Sequence, residues 1–289
     1  GGLGLVPALL LAFAVIQGTA LMEWRLAVAL SGVILTAWVG WLDDRHTLGV
    51  GPRLVAHVAG AAAMVPLALS PAPVPAVLGL AAVLWWIIWG VASINIVNFM
   101  DGIDGLVGAQ VLAFGTHLLL LGVPNAAAFG LGIALAGTAF GFLWWNWAPA
   151  KIFLGDAGSG ALGLTMVLGG LLLLREGQVG LVKAYLPLYP LFLDATITLL
   201  RRAARGERLT QAHRSHLYQQ LANGGMGHAR VSLLYAAAAL VGLAVAQIPA
   251  ERGATIAMAI YFLTVPAVAL LLARRLPVDR AAGVQRRES

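Results

Sequence analysis

Two adjacent carboxylates, Asp43 and Asp44, stand at the end of a strongly apolar stretch and are followed directly by Arg45. If that stretch is a helix, its C-terminus already carries partial negative charge, so both carboxylates are unfavourable there. A bound cation would relieve this, and Mg²⁺ typically binds one or two carboxylates together with substrate phosphate oxygens. A solvated turn with Arg45 as the counter-charge also explains the pair, so this motif alone leaves both interpretations open.

A second acidic motif lies between two apolar stretches, in the segment Asn95-Ile96-Val97-Asn98-Phe99-Met100-Asp101-Gly102-Ile103-Asp104-Gly105. Asp101 and Asp104 are three residues apart, so one helical turn would place both on the same face, and Asn98 could join them. The glycines permit tight turns and a close approach of the backbone to a ligand. A capped break between two helices needs only one aspartate, so the additional polar residues favour a functional site.

The third motif runs from Asn146 to Ser159 and ends in the turn Gly155-Asp156-Ala157-Gly158-Ser159, which opens another apolar stretch. Free N–H groups at a helix N-terminus favour anions such as phosphate, and small side chains leave room for them. Asp156 would add a carboxylate at the same place. A plain N-cap role for Asp156 is the alternative interpretation.

The fourth motif, His213-Arg214-Ser215-His216, occupies the longest polar segment of the chain, near residues 201–228. Two histidines three residues apart could bind a metal ion, but no carboxylate lies close to them in sequence. A histidine pair with an arginine suits a pyrophosphate group better, because arginine binds phosphate oxygens through charge-assisted hydrogen bonds. The alternative interpretation is a solvated basic loop without a ligand.

The composition indicates that helices in a membrane position these motifs. The 289 residues are 60% hydrophobic and 10% charged, whereas a soluble domain carries about 25% charged residues. An open sheet cannot satisfy its backbone in hydrocarbon, so we predict an all-α polytopic integral membrane protein with about ten transmembrane helices. The absence of cysteine excludes disulfides, a thiolate nucleophile and cysteine-bound metals. The predicted spans are 3–20, 24–42, 53–70, 74–94, 105–123, 126–147, 158–174, 181–200, 229–248 and 254–273.

The distribution of Lys and Arg orients these helices. Alternation of the spans places the connections near 43–52, 95–104, 148–157 and 201–228 on one side, together with both chain ends. That side collects Arg45, Arg53, Lys151, Arg201, Arg202, Arg205, Arg208, Arg214, Arg230, Arg274, Arg275, Arg280, Arg286 and Arg287. The other side has Arg25, Arg175, Lys183 and Arg252. The positive-inside rule therefore makes the first side cytoplasmic, and the net charge of +6 reflects topology and anionic lipids rather than nucleic acid.

The acidic motifs all lie on this cytoplasmic side, although only basic residues were used to assign it. Asp194 is an exception in depth, because it lies about two turns inside a predicted span, where a carboxylate is costly. Such a position indicates a partner or a role. Arg201 or Arg202, about two turns further along the same helix, is the predicted partner.

Together the motifs resemble the polyprenyl-phosphate N-acetylhexosamine-1-phosphate transferase family, also called glycosyltransferase family 4. Four blocks match in order: Asp43-Asp44, the segment 98–105, the segment 153–159 and the loop 213–216. The stretch from Asp194 to His216 is most similar to the bacterial branch that initiates O-antigen synthesis. Because the resemblance covers nearly the whole chain, we expect residues 1–289 to form a single transmembrane catalytic domain. We also expect that the family's first helix and the basic loop after it are missing before Gly1.

The resemblance implies that a polyprenyl phosphate in the inner leaflet attacks the sugar-proximal phosphorus of a UDP-N-acetylhexosamine, with release of UMP. The active site would face the cytoplasm at a bacterial inner membrane, and homodimers occur in the family. The implied cofactor is Mg²⁺, replaceable by Mn²⁺, held by Asp156 and Asp44 with Asp101 or Asp104 nearby.

The remaining roles implied by the resemblance are an acceptor-orienting Asp43, nucleotide contacts from Asn98 and Asp104, and pyrophosphate binding by His213, Arg214 and His216. Two rival functions are an ion-coupled membrane transporter and a lipid-diphosphate phosphatase. A transporter site should lie near the membrane midplane between repeats, whereas these carboxylates lie at one face and the sequence has no evident repeat. A phosphatase would not need a nucleotide site.

Overall fold

The computed structural model describes residues 1–17, 23–69, 76–123, 125–175, 177, 179–208, 211 and 213–274, and this part contains helices and irregular segments but no strand. The α-helices are α1 (Gly2–Gln17), α2 (Trp24–His46), α3 (Val50–Ala62), α4 (Val65–Ala68), α5 (Ala76–Met100), α6 (Leu106–Leu121), α7 (Ala126–Asn146), α8 (Gly155–Arg175), α9 (Leu181–Tyr185), α10 (Tyr189–Ala204), α11 (Leu217–Leu221), α12 (His228–Ala246) and α13 (Ala254–Arg274). Short 3₁₀ turns cover Leu186–Leu188 and Ala250–Arg252, and a π-helical segment covers Ala222–Met226. The predicted all-α fold is confirmed.

In the described part, seven helical stretches are long and apolar enough to cross a membrane: Trp24–His46, Val50–Ala68, Gly79–Met100, Ala126–Asn146, Gly155–Arg175, His228–Ala246 and Ala254–Ala273. Two shorter apolar helices, Gly2–Ile16 and Leu106–Leu121, correspond to two more of the predicted spans. The remaining predicted span, 181–200, is interrupted by the turn Leu186–Leu188, which contains Pro187. Proline lacks the backbone N–H that a continuous helix requires, which accounts for the break.

Large apolar side chains cover the outside of the bundle. Ile256, Leu263 and Leu270 of α13 are each more than half exposed, and so is Ile88 of α5. Soluble monomers rarely expose contiguous apolar patches larger than a few hundred Å². The surface therefore suits hydrocarbon, and the polytopic membrane fold is confirmed.

Helix α8 lies at the centre of the bundle, since every residue from Ala157 to Leu173 is buried. Helices α1, α2, α5, α6 and α7 pack around it. Close packing depends on small residues: a Cβ added at Gly163 would lie 2.7 Å from the backbone oxygen of Ser93 on α5. On the other side, a Cβ at Gly40 of α2 would overlap the backbone of Asp156. The end of α2 is thereby brought against the start of α8.

Two acidic motifs lie further inside helices than the sequence indicated. Helix α5 continues through Met100, so Asn98 is helical and the connection predicted at 95–104 is reduced to the turn 101–105. Helix α2 extends to His46 and carries Asp43 and Asp44 in its last turns. The predicted basic tail after Arg274 lies outside the described residues.

Candidate active site

Asp44 joins the end of α2 to the start of α8. Its Oδ1 accepts a hydrogen bond from the backbone N–H of Asp156 at 2.9 Å, and its Oδ2 accepts one from Ala157 at 3.2 Å. The carboxylate therefore caps α8, where the helix dipole stabilises negative charge. Gly155 permits this approach, because its φ is +71° and an added Cβ would lie 2.8 Å from Oδ2 of Asp44. The alternative interpretation of Asp156 as the cap is wrong, since the capping oxygens come from α2.

Arg53, near the start of α3, lies between two carboxylates. Its Nη1 is 2.8 Å from Oδ2 of Asp43, and its Nη2 is 3.7 Å from Oδ2 of Asp156. A guanidinium thus occupies a position between acidic groups where a cation is favourable. The small cavity around it is lined by Val39, Gly40, Asp43, Arg53, His57, Ile94, Asn98, Asp156 and Gly160.

Asn98 links α5 to the same group of carboxylates. Its Nδ2 donates to Oδ1 of Asp156 at 2.6 Å and to Oγ of Ser159 at 3.0 Å. Because Ser159 is fully buried on α8, Asn98 fixes the direction of the Asp156 side chain. The structure therefore brings Asn98 and Asp156 together, although 58 residues separate them in sequence.

Asp101 follows α5 directly and lies close to the same carboxylates. Burial, together with the negative charges of Asp156 and Asp44, raises the pKa of Asp101 to about 8. These three side chains therefore disfavour full ionisation together unless a positive charge is added. We call the group formed by Asp43, Asp44, Asp101 and Asp156 the carboxylate cluster.

Asp104 points to a different set of partners. Residues 101–105 form a non-helical turn, so the predicted placement of Asp101 and Asp104 on one helical face is wrong. Oδ2 of Asp104 accepts a hydrogen bond from the backbone N–H of Ala150 at 3.1 Å and lies 3.3 Å from Nδ1 of His228. Among the described contacts, the Asp104 carboxylate has none with the carboxylate cluster.

The His213–His216 loop packs against Phe99, the residue that follows Asn98. The Phe99 ring centroid lies 6.4 Å from that of His213 and 6.1 Å from that of His216, and the two imidazoles are 4.8 Å apart. His216 is buried and Arg214 is exposed. Partial burial, followed by the charges of Arg202 and His216, lowers the pKa of His213. The loop therefore packs against the residue next to Asn98, and Asn98 itself contacts Asp156 of the carboxylate cluster.

Asp194 holds the loop in place. Its two carboxylate oxygens accept hydrogen bonds from the backbone N–H groups of Leu217 at 2.8 Å and Tyr218 at 3.0 Å. The hydroxyls of Tyr235 at 2.5 Å and Thr198 at 3.2 Å donate to the same group. The carboxylate therefore caps α11, directly after the histidine motif.

The predicted Asp194 partner is wrong. Arg202 instead donates from Nε to Glu207 at 2.8 Å and from Nη2 to the backbone oxygen of Arg208 at 2.7 Å. Arg201 is exposed. Helical spacing alone suggested an arginine as the partner of Asp194, but the loop after α10 folds back and binds Arg202 through Glu207 and Arg208.

The carboxylate cluster fits Mg²⁺ by its chemistry. All its donors are oxygens, and the pKa of Asp101, raised by burial and then by the charges of Asp156 and Asp44, indicates that a cation beside Asp101 would be favourable. Within the described part, no three His, Cys, Asp or Glu side chains form a ready-made metal site. Mg²⁺ does not require one, since it commonly uses one or two carboxylates and takes its other ligands from water and substrate phosphates.

Sequence reasoning missed three polar contributors to this region, which are Arg53, Asn146 and His228. Arg53 was counted only as a topological charge, although a basic residue early in the helix after an Asp-Asp pair is a usable signal. Arg45, the predicted counter-charge, lies 4.5 Å over the Trp41 ring instead. Asn146 and His228 carried no local signal, because their partners in the turn 101–105 are distant in sequence.

Comparison with protein-family models gives a match to "Glycosyl transferase family 4" over residues 26–174, more than half of the chain. The matched region contains the whole carboxylate cluster and Asn98, and it ends before the His213–His216 loop.

Curated relatives carry related names. The Bacillus subtilis "Probable undecaprenyl-phosphate N-acetylglucosaminyl 1-phosphate transferase" is 29% identical over 225 residues, which cover 73% of this chain and 62% of that protein. The Mycobacterium leprae "Decaprenyl-phosphate N-acetylglucosaminephosphotransferase" is 26% identical, with 94% of this chain and 78% of that protein covered. A Frankia casuarinae "Phospho-N-acetylmuramoyl-pentapeptide-transferase" is 38% identical over 134 residues, covering 35% of this chain and 38% of that protein. The chain thus spans less than two thirds of the Bacillus protein.

Proposed function

This chain belongs to glycosyl transferase family 4, and from that membership we propose that it transfers N-acetylhexosamine 1-phosphate from a UDP-sugar to polyprenyl phosphate. UMP is the leaving product. Because two relatives are named for N-acetylglucosamine and a polyprenyl phosphate, N-acetylglucosamine is the proposed sugar. The proposed product initiates a cell-envelope polysaccharide such as O-antigen. The proposed site faces the cytoplasm of a bacterial inner membrane, where the soluble donor meets the lipid acceptor.

The observation that carries this proposal is the convergence of the carboxylate cluster at one end of α2, α5 and α8. An acceptor phosphate oxygen forms a bond to the sugar-proximal phosphorus as the bond from that phosphorus to the UMP oxygen breaks. Both partners are anions, so positioning and positive charge dominate the catalysis. Asp156 and Asp44 would hold Mg²⁺, whose bound charge would neutralise the donor diphosphate.

Arg53 and Asp43 are the proposed acceptor-binding groups. The Arg53 guanidinium can bind the acceptor phosphate through paired hydrogen bonds. Asp43, whose Oδ2 is 2.8 Å from Nη1 of Arg53, would orient the acceptor phosphate or accept a proton from it. Asn98 keeps Asp156 aimed at the cavity through its 2.6 Å hydrogen bond.

The donor is proposed to lie between the carboxylate cluster and the His213–His216 loop. His213 and the exposed Arg214 would bind the pyrophosphate. The buried His216 would hold the loop against Phe99. Asp104, whose carboxylate contacts Ala150 and His228, is the proposed nucleotide contact.

The experiment supplies membranes containing the protein with UDP-N-acetylglucosamine, polyprenyl phosphate and Mg²⁺. UMP release and a lipid-linked sugar should appear together, and both should require the acceptor and stop when EDTA removes the metal. Asp156→Asn should abolish transfer while leaving the protein inserted in the membrane. Transfer at the wild-type rate in that variant contradicts the site. Phosphate release from a lipid diphosphate without UDP-sugar would favour the phosphatase instead.

A further inference from the structure

The first turns of α12 are fastened to the turn 101–105. Nδ1 of His228 lies 3.4 Å from the backbone nitrogen of Asp104 and 3.3 Å from its Oδ2. One helical turn later, Oγ of Ser232 donates to the backbone oxygen of Asp104 at 2.7 Å. Residues four apart lie on one face of a helix, so a single face of α12 holds three groups of Asp104.

The same turn is held from its other side by the segment between α7 and α8. Oδ1 of Asn146 accepts a hydrogen bond from the backbone N–H of Gly105 at 3.0 Å, and its Nδ2 donates to the backbone oxygen of Ile152 at 2.9 Å. Ala150 donates to Oδ2 of Asp104 at 3.1 Å. His228 and Asn146 thus hold the turn between two flanking elements.

Asp101 begins this turn and belongs to the carboxylate cluster. The turn is closely packed in between, since a Cβ added at Gly102 would collide with the hydroxyl of Tyr218, which donates to the backbone oxygen of Phe99 at 2.8 Å. Because only Gly102 and Ile103 separate Asp101 from Asp104, we expect a displacement at Asp104 to move Asp101 as well. A shift of about 1 Å in a catalytic group is enough to lower a rate substantially.

We infer that His228 is a positioning residue, which acts through Asp104 to hold Asp101 at the carboxylate cluster. This inference rests on the proposed transferase function. His228 has no described contact with the cluster itself, and its side chain is 44% exposed. Its contribution is the polar contact from Nδ1. Without a hydrogen, Nδ1 accepts from the backbone N–H of Asp104, and with a hydrogen it donates to the Asp104 carboxylate.

The test compares His228→Ala with His228→Asn in the full chain. An asparagine amide offers both an acceptor and a donor close to the position of Nδ1. We expect His228→Ala to lower kcat about tenfold, the equivalent of one lost hydrogen bond, with KM for the UDP-sugar within about twofold. His228→Asn should restore most of kcat. Asn223→Ala, an exposed residue of the preceding segment, is the control and should behave as wild type.

Three kinetic results would overturn the inference. The first is an unchanged kcat in His228→Ala, and the second is an effect confined to KM, which would make His228 a direct contact of the UDP-sugar. The third is a kcat that falls equally in His228→Ala and His228→Asn. Hydrogen–deuterium exchange gives a readout that does not need activity. The amides of 101–106 should exchange faster in His228→Ala and at the wild-type rate in His228→Asn. If wild-type protein transfers no sugar phosphate, the proposed function fails, and the exchange result still decides the positioning role.

Discussion

Replacement of Asp194 by asparagine tests how the histidine loop is held. The carboxylate is 6% exposed, and its two oxygens each accept one backbone N–H, from Leu217 and from Tyr218. An amide keeps the shape but replaces one oxygen by NH₂, which cannot accept a hydrogen bond. Whichever way the amide is turned, one buried N–H at the start of α11 faces a donor.

The expected magnitude follows from these contacts. A buried donor without a partner costs about 1–3 kcal/mol, and the remaining bonds lose the strength that an ionised acceptor gives them. We therefore expect Asp194→Asn to lower the free energy of unfolding by about 2–4 kcal/mol. The Tyr235 and Thr198 hydroxyls can rotate to accept from the amide, so they should recover part of their bonds.

Thr198→Val is the matched control, because it removes one hydroxyl from the same carboxylate and leaves both backbone donors paired. It should cost about 1 kcal/mol or less. The assays are the thermal unfolding midpoint in detergent, amide exchange at Leu217 and Tyr218, and transferase rate. Asp194→Asn should lower the midpoint further than the control, accelerate exchange at both amides, and reduce the rate through the displaced loop. Equal midpoints for the two variants, with exchange unchanged at Leu217 and Tyr218, would refute this reasoning.

Three further predictions follow from the contacts around the site. Arg53→Met should lower the transfer rate. It should also reduce the Mg²⁺ concentration needed for the half-maximal rate, because a cation that competes for Asp43 and Asp156 is removed. A Mg²⁺ titration of both Arg53→Met and Arg53→Lys measures this, and a higher Mg²⁺ requirement in Arg53→Met contradicts it. Gly155→Ala should destabilise more than Gly177→Ala, since both glycines have positive φ but only Gly155 has an Asp44 oxygen 2.8 Å from the added Cβ. The difference should be about 1–2 kcal/mol, the value of a helix cap, and equal unfolding midpoints would show that the cap is not disturbed. Arg202→Gln should accelerate amide exchange in residues 205–208 relative to the exposed control Arg201→Gln. The reason is that Arg202 binds Glu207 and the backbone oxygens of Arg208 and Gln211. Identical exchange in the two variants would mean that Arg202 does not organise the loop.

Much of the fold could be predicted because a bilayer imposes helices. In the part of the chain that the structure describes, nine of the ten spans predicted from hydropathy correspond to apolar helical stretches, including the two shorter ones. The exception, 181–200, shows the limit: Pro187 and Pro190 were visible, but only packing decides whether a proline bends a helix or divides it.

The residues of the candidate site could be named from sequence, but the contacts between them could not. The family resemblance grouped Asp44 with Asp156, and the structure joins them through backbone hydrogen bonds. The direction of Asp104 was not predictable, because it depends on Ala150 and His228, which are 46 and 124 residues away. The same holds for Asp194, three of whose four donors lie on α11 and α12, whereas Arg202 binds Glu207 and the backbone oxygen of Arg208 instead.

The carboxylates near this site share a side-chain type, and their environments make them different. Asp44 receives two helix N-terminal amides, and Asp43 receives a guanidinium. Burial and two like charges raise the pKa of Asp101 to about 8, whereas the Asp104 carboxylate contacts Ala150 and His228 of α12. A cation added to this end of the bundle would therefore act most strongly on Asp101, which is buried beside the like charges of Asp156 and Asp44. The proposed division between metal binding, acceptor binding and positioning follows from these surroundings, and the number of aspartates alone could not have supplied it.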